Sequence, residues 1–183
     1  DPISENQAKV ASGVTLGEVF EAYLTVRSGL KDSTVHDYRR HLRESFADWV
    51  KQPLASISKD NVAKRHARLG QRSPARANNA MRVLRALFNF AQGQYENAQG
   101  RSLFTEKPVN RLSHARAWYQ IQRRRSVIKR EDLPAWFLAV EALRADPSEV
   151  HGRTVGDYLL LILFTGLRRS EALRLCWDDI DLT

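Results

Sequence analysis

Two adjacent arginines, Arg168 and Arg169, follow a sharp break near the end of the chain. The preceding residues 159–164 are all apolar, Gly166 is suited to a left-handed helix stop, and "RRSEALRL" then restarts a helical pattern. An arginine fork matches phosphate oxygens, and a helix start presents free N–H groups and a positive dipole end. The spacing predicts a phosphate-binding site, and an ordinary surface pair between Arg168 and Glu171 is the alternative.

A polar stripe on a long predicted helix forms the second group of candidate residues. At 100° per residue, the apolar side chains of residues 77–91 fall on one face and the arginines and asparagines fall opposite. Arginine can pair with guanine and asparagine with adenine in a DNA major groove. A solvated face is the alternative, but the basic residues nearby favour DNA. The stripe comprises Asn78, Arg82, Arg85 and Asn89, and the nearby basic residues are Lys64, Arg65, Arg68, Arg72 and Arg76.

Positive charge is concentrated in the middle of the chain. Of the 29 Lys and Arg residues, 17 lie between Lys59 and Arg130, together with 3 acidic residues. The rest of the chain is net acidic, although the whole chain has a net charge of +8. Such a segment indicates a polyanionic partner. Nucleic acid is favoured over a membrane surface, because the basic helices carry no exposed Trp or Phe face.

Other function classes have little support in the sequence. No apolar run reaches the roughly 18 residues that span a bilayer, and the polar N-terminus lacks the pattern of a signal peptide, so we expect a cytoplasmic protein. The single cysteine, Cys176, has apolar neighbours and is predicted to be a buried, reduced thiol. Because the histidines show no metal-ligand spacing and no phosphate-loop or dinucleotide motif is present, we expect no metal and no cofactor.

Helix signals are frequent and strand signals are rare. Thr15 and Glu18 form a capping-box pattern, Ser58 can cap a shorter helix, and Ser73 with Pro74 marks the start of a long one. Apolar residues recur at three- and four-residue steps, and Gly or Pro ends the first two segments. The predicted helices are residues 15–28, 35–52, 58–69, 73–91, 131–143 and 154–164, the last of them buried, followed by a helical restart in which Ala172 and Leu173 turn inward.

Several motifs in order resemble the tyrosine recombinase, or phage integrase, family. Residues 165–173, "TGLRRSEAL", followed by "LCWDDID", resemble the first arginine box of the catalytic domain running into its first β-strand. Upstream, "STVHDYRRHL", "PLASISKDNV", "SPARANNAMRVLRALFNFA" and "KPVNRL" are similar to the core-binding domain of the family and occur in the expected order. The resemblance covers residues 15–183.

The resemblance implies a mainly α fold. A helical, SAM-like core-binding domain of four to five helices would precede the helical N-terminal part of a mixed α/β recombinase catalytic domain, truncated at its first strand, "WDDIDL". The predicted organisation is a flexible N-terminus at 1–12, a helical core-type DNA-binding domain at 13–112, a basic interdomain linker at 113–128 and an incomplete catalytic domain at 129–183. Within the linker, Arg123, Arg124 and Arg125 are well placed to contact backbone phosphates.

The resemblance also implies a function, site-specific DNA recombination or integration by a bacterial or phage-encoded, nucleoid-associated enzyme. Arg168 corresponds to the first catalytic arginine, Glu171 supports it, and Arg169 either contacts phosphate or forms a structural ion pair. The lysine, His-x-x-Arg box and nucleophilic tyrosine that follow this box in the family are absent from the sequence. We therefore expect this chain to bind double-stranded DNA without cutting it, as a monomer, whereas full-length recombinases act as tetramers on DNA.

Two alternatives belong to other classes of protein. The chain could be a non-catalytic, helical DNA-binding regulator, or a helical interaction module whose basic segment binds an acidic protein. The salt dependence of DNA binding separates them, because contacts to phosphates give a steep dependence and a protein-binding surface does not.

Overall fold

A computed structural model describes residues 13–96, 99–122 and 126–181. The predicted flexible N-terminus, 1–12, lies outside these ranges. The chain divides into two compact units, residues 1–122 and 123–183, and this division falls within the predicted linker. The mainly helical fold is confirmed. The helices are α1 (Leu16–Val26), α2 (Asp32–Ser45), α3 (Lys59–Arg72), α4 (Pro74–Gln94), α5 (Asn110–His114), α6 (Leu133–Ala145), α7 (Gly152–Thr165) and α8 (Arg169–Ala172).

Side-chain caps set the starts of α1, α3 and α4, as predicted. The Thr15 hydroxyl accepts from the Glu18 backbone N–H at 3.2 Å, and the Glu18 carboxylate accepts from the Thr15 N–H at 2.8 Å, which completes the capping box of α1. Ser58 caps α3 and Ser73 caps α4, with Pro74 in the first helical position. These caps fix where α3 and α4 begin and therefore which side chains each helix exposes.

The core of the first unit forms around α4. Its predicted apolar face is fully buried, from Ala77 through Ala91, and packs on α1, α2 and α3. Tyr23 lies edge-on to Phe90 at 5.4 Å between ring centroids, and Phe46 stacks on Trp49 at 5.5 Å. Burial of the apolar face of α4 against these helices supplies the contact that holds α4 in place. The opposite side of α4 is thereby presented away from the core.

A tight turn after α5 returns the chain toward α3 and α4. The N–H of Ala117 donates to the Leu112 carbonyl at 2.8 Å, and the N–H of Arg116 donates to the Ser113 carbonyl at 3.1 Å. This pair of bonds is a Schellman motif, which requires a left-handed residue. Arg116 occupies that position with φ +51°, where a side chain costs roughly 1–2 kcal/mol relative to glycine.

The second unit is built on the pairing of α6 with α7. Gly156 allows the close approach, because a Cβ there would lie 2.2 Å from Arg144 Cγ. Arg144 also donates to Asp157 at 2.7 Å and to Glu141 at 2.8 Å.

The prediction that the apolar helix at residues 154–164, which corresponds to α7, is buried is wrong. Only one side of α7 is covered by α6, and Phe164 remains 75% exposed.

Three further predictions for the second unit are settled by the structure. The left-handed stop at Gly166 is confirmed, with φ +68°, and Ala172 is buried as predicted, although Leu173 is 63% exposed. The predicted strand "WDDIDL" is wrong over its described part. Trp177–Asp179 forms a 3-10 turn, closed by hydrogen bonds from the Asp179 N–H to the Cys176 carbonyl and from the Cys176 N–H to the Asp179 carboxylate.

The predicted burial of Cys176 is also wrong, because this turn leaves its side chain exposed. Across the ranges that the structure describes, no helix is both long and apolar enough to cross a membrane.

Candidate nucleic-acid interface

Three predicted cationic residues form an exposed row along α3. Lys64, Arg68 and Arg72 lie four residues apart, so they project from the same side of the helix, and all three are exposed. Lys64 and Arg68 line, together with Asn61 and Trp49, an open cavity of about 300 Å³. We call Lys64, Arg68 and Arg72 the α3 row. Its cationic groups and the neighbouring amide could donate hydrogen bonds to an anion in that cavity.

Arg65 has a structural position, contrary to its predicted place on the exposed surface. Its side chain is 6% exposed and its guanidinium lies 4.2 Å above the centre of the Trp49 ring. Its two terminal nitrogens donate to both carboxylate oxygens of Asp48, at 2.8 and 2.5 Å, and one of them also donates to the Ser45 carbonyl. These donors hold the pKa of the Asp48 carboxyl below its ordinary value.

Asn78 was predicted to belong to the exposed stripe of α4, but it is 2% exposed. Its Nδ2 donates to the Tyr119 carbonyl at 2.8 Å, and its Oδ1 accepts from the Tyr119 N–H at 3.2 Å. His66 Nε2 lies 3.0 Å from the same Oδ1 and can donate to it. Because these contacts occupy both ends of the amide, Asn78 cannot read a base edge in this conformation. The residue covering it lies 41 positions further along the chain.

The other three members of the stripe reach the surface. Arg82 and Asn89 are exposed, and Arg85 is half-buried. Arg82 Nη1 donates to Asn79 Oδ1 at 2.7 Å. The Arg85 guanidinium lies 4.8 Å from the centre of the Trp118 ring and donates from Nη2 to Ser113 Oγ at 3.2 Å. We call Arg82, Arg85, Ser113 and Trp118 the α4 cluster.

Ion pairing divides the predicted basic residues into two groups. Arg76 forms an ion pair with Glu44, and Arg65 with Asp48. Of the predicted basic residues of the first unit, five have no carboxylate at ion-pair distance within the described ranges, and the partners of two of them are neutral amide or hydroxyl groups. Their positive charge is balanced by mobile counterions and is therefore available to a polyanion. These residues are Lys64, Arg68, Arg72, Arg82 and Arg85.

These five residues form two separate patches. At 100° per residue, the α3 row projects from the side of α3 opposite His66 and Gly70. His66 and Gly70 face residues 118 and 119, since His66 stacks on Tyr119 at 4.7 Å between ring centres and a Cβ at Gly70 would meet the Tyr119 ring. The α4 cluster lies on that second side. The first unit therefore offers positive charge on two sides of α3.

In the second unit, Arg168 is bound by Glu171. Arg168 Nη1 donates to one carboxylate oxygen of Glu171 at 2.9 Å, and the Arg168 N–H donates to the other at 2.8 Å. The backbone and side-chain bonds lower the pKa of Glu171, so its charge is retained. Arg168 remains 84% exposed. Because α8 has only four residues, its dipole adds less to an anion site than the sequence suggested.

Two other groups of predicted residues have different outcomes. The side chain of Arg169 is exposed and its backbone carbonyl accepts from the Tyr158 hydroxyl at 2.9 Å. The three linker arginines, Arg123, Arg124 and Arg125, lie outside the described residues.

Three residues that belong to these surfaces were not predicted from the sequence: Asn61, Ser113 and Trp118. The Trp-Tyr pair at positions 118 and 119, inside a strongly basic segment, is the signal that could have drawn attention to them.

The structure thus defines a mainly helical protein with unpaired cationic residues on its first unit and an exposed arginine–glutamate pair on its second. No family profile and no solved structure matches the chain. The chain is distantly similar to prophage integrase IntF of Escherichia coli strain K12, with 26% identity over 138 residues, which cover 74% of this chain and 27% of that protein. It spans about a quarter of the length of this relative.

Proposed function

We propose that this chain is a DNA-binding part of a tyrosine-recombinase-type integrase. The first unit would bind the phosphate backbone of a duplex, and the second would supply one arginine to the strand-exchange site. The observation that carries this proposal is the set of five cationic residues without carboxylate partners, the α3 row with Arg82 and Arg85. The distant similarity to a prophage integrase and the order of its sequence motifs support the same function.

The α3 row suits backbone contact rather than base reading. Lysine and arginine donate to phosphate oxygens in any sequence, and their spacing of four residues follows one side of a helix. Asn89 and Arg82 are the exposed stripe residues with the chemistry to contact base edges. This division predicts strong, salt-dependent binding with a limited contribution from direct base readout.

Arg168 would contribute to catalysis through its guanidinium. In phosphodiester cleavage, charge builds on the non-bridging oxygens, and a fixed donor placed there lowers the barrier. The Glu171 carboxylate accepts one hydrogen bond from the Arg168 backbone and one from its guanidinium, and Arg168 stays exposed. The remaining N–H donors of the guanidinium are therefore free for a phosphate. Glu171 is therefore proposed as a positioning residue and Arg168 as the catalytic contact.

A salt titration tests the DNA-binding part. The affinity of the chain for duplex DNA should fall steeply with salt concentration, and replacing all three residues of the α3 row by alanine should reduce the log–log slope by roughly 3. The matched control is Arg39→Ala, which removes an exposed arginine of α2. An unchanged slope in the triple variant would leave the α3 row as a solvated surface.

The recombination part needs a strand-transfer assay on the complete gene product. Arg168→Ala should reduce cleavage by about 10² to 10³ with little loss of DNA affinity, because it removes one phosphate contact among many. Equal losses of cleavage and binding would instead make Arg168 an architectural residue.

A further inference from the structure

The most informative unassigned group in the structure is Ser113. Its Oγ accepts two hydrogen bonds, one from Arg85 Nη2 at 3.2 Å and one from Trp118 Nε1 at 3.0 Å. A serine hydroxyl has two acceptor positions and one donor. Both acceptor positions are filled, so the O–H proton points to solvent and is available to a third group that binds there. Ser113 is exposed, and no acceptor for this proton lies within the described ranges.

The third group must be an acceptor, and the charge beside it selects an anion. The Arg85 guanidinium lies against both Ser113 and the Trp118 ring, and the Arg82 guanidinium is 6.0 Å from the centre of the same ring. Neither arginine has a carboxylate partner in the part of the chain that the structure describes. A phosphate oxygen accepts hydrogen bonds and carries the charge that these two arginines attract.

Trp118 holds the two donors together. Its indole N–H donates a hydrogen bond to the Ser113 hydroxyl, and the face of its ring packs against the guanidinium of Arg85. The position of Trp118 is in turn set on both sides. The left-handed Arg116 turns the chain back toward α4, and the Asn78 amide binds the backbone of Tyr119. The turn at Arg116 and the hydrogen bonds of Asn78 to Tyr119 thus fix Trp118 beside Ser113 and Arg85.

We propose that Ser113 and Arg85, aligned by Trp118, form a binding site for one phosphate group of a nucleic-acid backbone. Ser113 donates its hydroxyl proton, and Arg85 donates from the terminal N–H groups that Ser113 does not use, since its Nε is buried. Arg82 adds positive charge without being required for the geometry. This inference rests on the proposed function for its natural ligand, but the site can be tested with phosphate alone.

The first experiment measures duplex DNA affinity at several salt concentrations for the parent chain, Ser113→Ala and Arg85→Ala. Ser113→Ala should weaken binding roughly 10- to 100-fold, as expected for one hydrogen bond to a charged group, with an unchanged salt slope because no charge is lost. Arg85→Ala should reduce the slope by about 1. The matched control, Ser28→Ala, removes another exposed serine of the first unit and should bind as the parent does.

A double-variant cycle tests the alignment by Trp118. Trp118→Phe keeps an aromatic face but removes the indole donor, so it should weaken DNA binding in the parent and have much less effect when Ser113 is already alanine. A purely structural role for Trp118 predicts the same loss in both backgrounds. Thermal unfolding of each variant shows whether the first unit is intact. If Ser113→Ala binds DNA as tightly as Ser28→Ala does, the proposal is overturned.

A second measurement separates this proposal from the proposed function. Inorganic phosphate is titrated into the parent chain, and the indole N–H resonance of Trp118 is followed by NMR. A saturable shift that is lost in Ser113→Ala supports the phosphate site even if duplex DNA does not bind. If DNA binds but the indole resonance does not respond to phosphate and Ser113→Ala has no effect, the proposed function stands and this site is wrong.

Discussion

The side-chain amide of Asn78 pairs with the backbone of Tyr119 in both directions, donating to its carbonyl at 2.8 Å and accepting from its N–H at 3.2 Å. This is the geometry that two neighbouring backbones adopt in a sheet, here provided by a side chain. It fixes a loop on the surface of α4 without any regular secondary structure. The pair therefore explains why residues 115–122 belong to the first unit although they follow its last helix.

Asn78→Ala should release this loop. The Tyr119 N–H and carbonyl and His66 Nε2 would lose their partners, so the free energy of unfolding should fall by about 1–3 kcal/mol. Hydrogen exchange of the Tyr119 amide should accelerate by more than that of the α4 core. Asn89→Ala, on the exposed side of the same helix, is the matched control and should stay within about 0.5 kcal/mol of the parent. Equal effects of the two variants would contradict the role of the pair.

Gly70→Ala tests the ring that lies over α3. Alanine in a helix is normally more favourable than glycine by about 0.5–1 kcal/mol, but a Cβ here would lie 2.0 Å from the Tyr119 hydroxyl oxygen and 2.2–2.4 Å from two atoms of its ring. The ring must move away from His66, and we expect a lower unfolding temperature. Gly93→Ala, with nothing within 4 Å of its Cβ, should be neutral or stabilising. A stabilised Gly70→Ala protein would show that the Tyr119 ring moves at little cost.

Replacing Arg65 should lower the stability of the fold, whereas replacing Arg68, three residues away, should weaken DNA binding. Arg65→Ala leaves Asp48 and the Ser45 carbonyl without their donor and empties the space above Trp49, so stability should fall by about 1–3 kcal/mol. Arg68→Ala removes an exposed charge, so it should reduce the salt slope of DNA binding by about 0.9 and leave stability nearly unchanged. Thermal unfolding and DNA titration of both variants check this pairing. If both lose only affinity, the buried position of Arg65 has no structural role.

Local signals made the starts of α1, α3 and α4 predictable, whereas α2 ends at Ser45, short of the predicted end at residue 52. A cap at Thr15, Ser58 or Ser73 acts within three residues, so the sequence carries all the information that sets the helix start. The buried face of α4 was predictable for a similar reason, because its apolar period extends over about four turns. The same period predicts that Arg82 and Asn89 lie on the exposed side of α4, where the structure has them.

Long-range contacts explain the errors. Asn78 lies within the polar stripe by its helical angle, but it is buried by a loop 41 residues away that no periodicity reveals. Arg65 and Arg68 look equivalent in the sequence, but only Arg65 meets the carboxylate of Asp48. The exposure of Phe164 follows from the number of elements packed on α7, which a hydrophobic pattern does not specify.

His41 predicts how stability depends on pH. It is 3% exposed, its Nδ1 has no hydrogen-bond partner within the described residues, and burial lowers its pKa, with a further contribution from the charges of Arg40 and Arg76. In the unfolded chain the imidazole has its ordinary pKa of 6.5, so below that pH the unfolded state binds more protons than the folded state. Stability from this residue is therefore complete above the unfolded pKa and is lost as the pH falls toward the folded pKa.

The test compares denaturant unfolding at about pH 7 and about pH 5 in the parent, His41→Leu and His36→Leu. The parent should lose stability on acidification, and His41→Leu should lose less, since leucine has no proton to bind and needs no partner for a ring nitrogen. His36 is exposed on the same helix, so its replacement should keep the pH dependence of the parent. A His41→Leu protein that loses as much stability as the parent would show that protonation of His41 is not the source of the acid sensitivity.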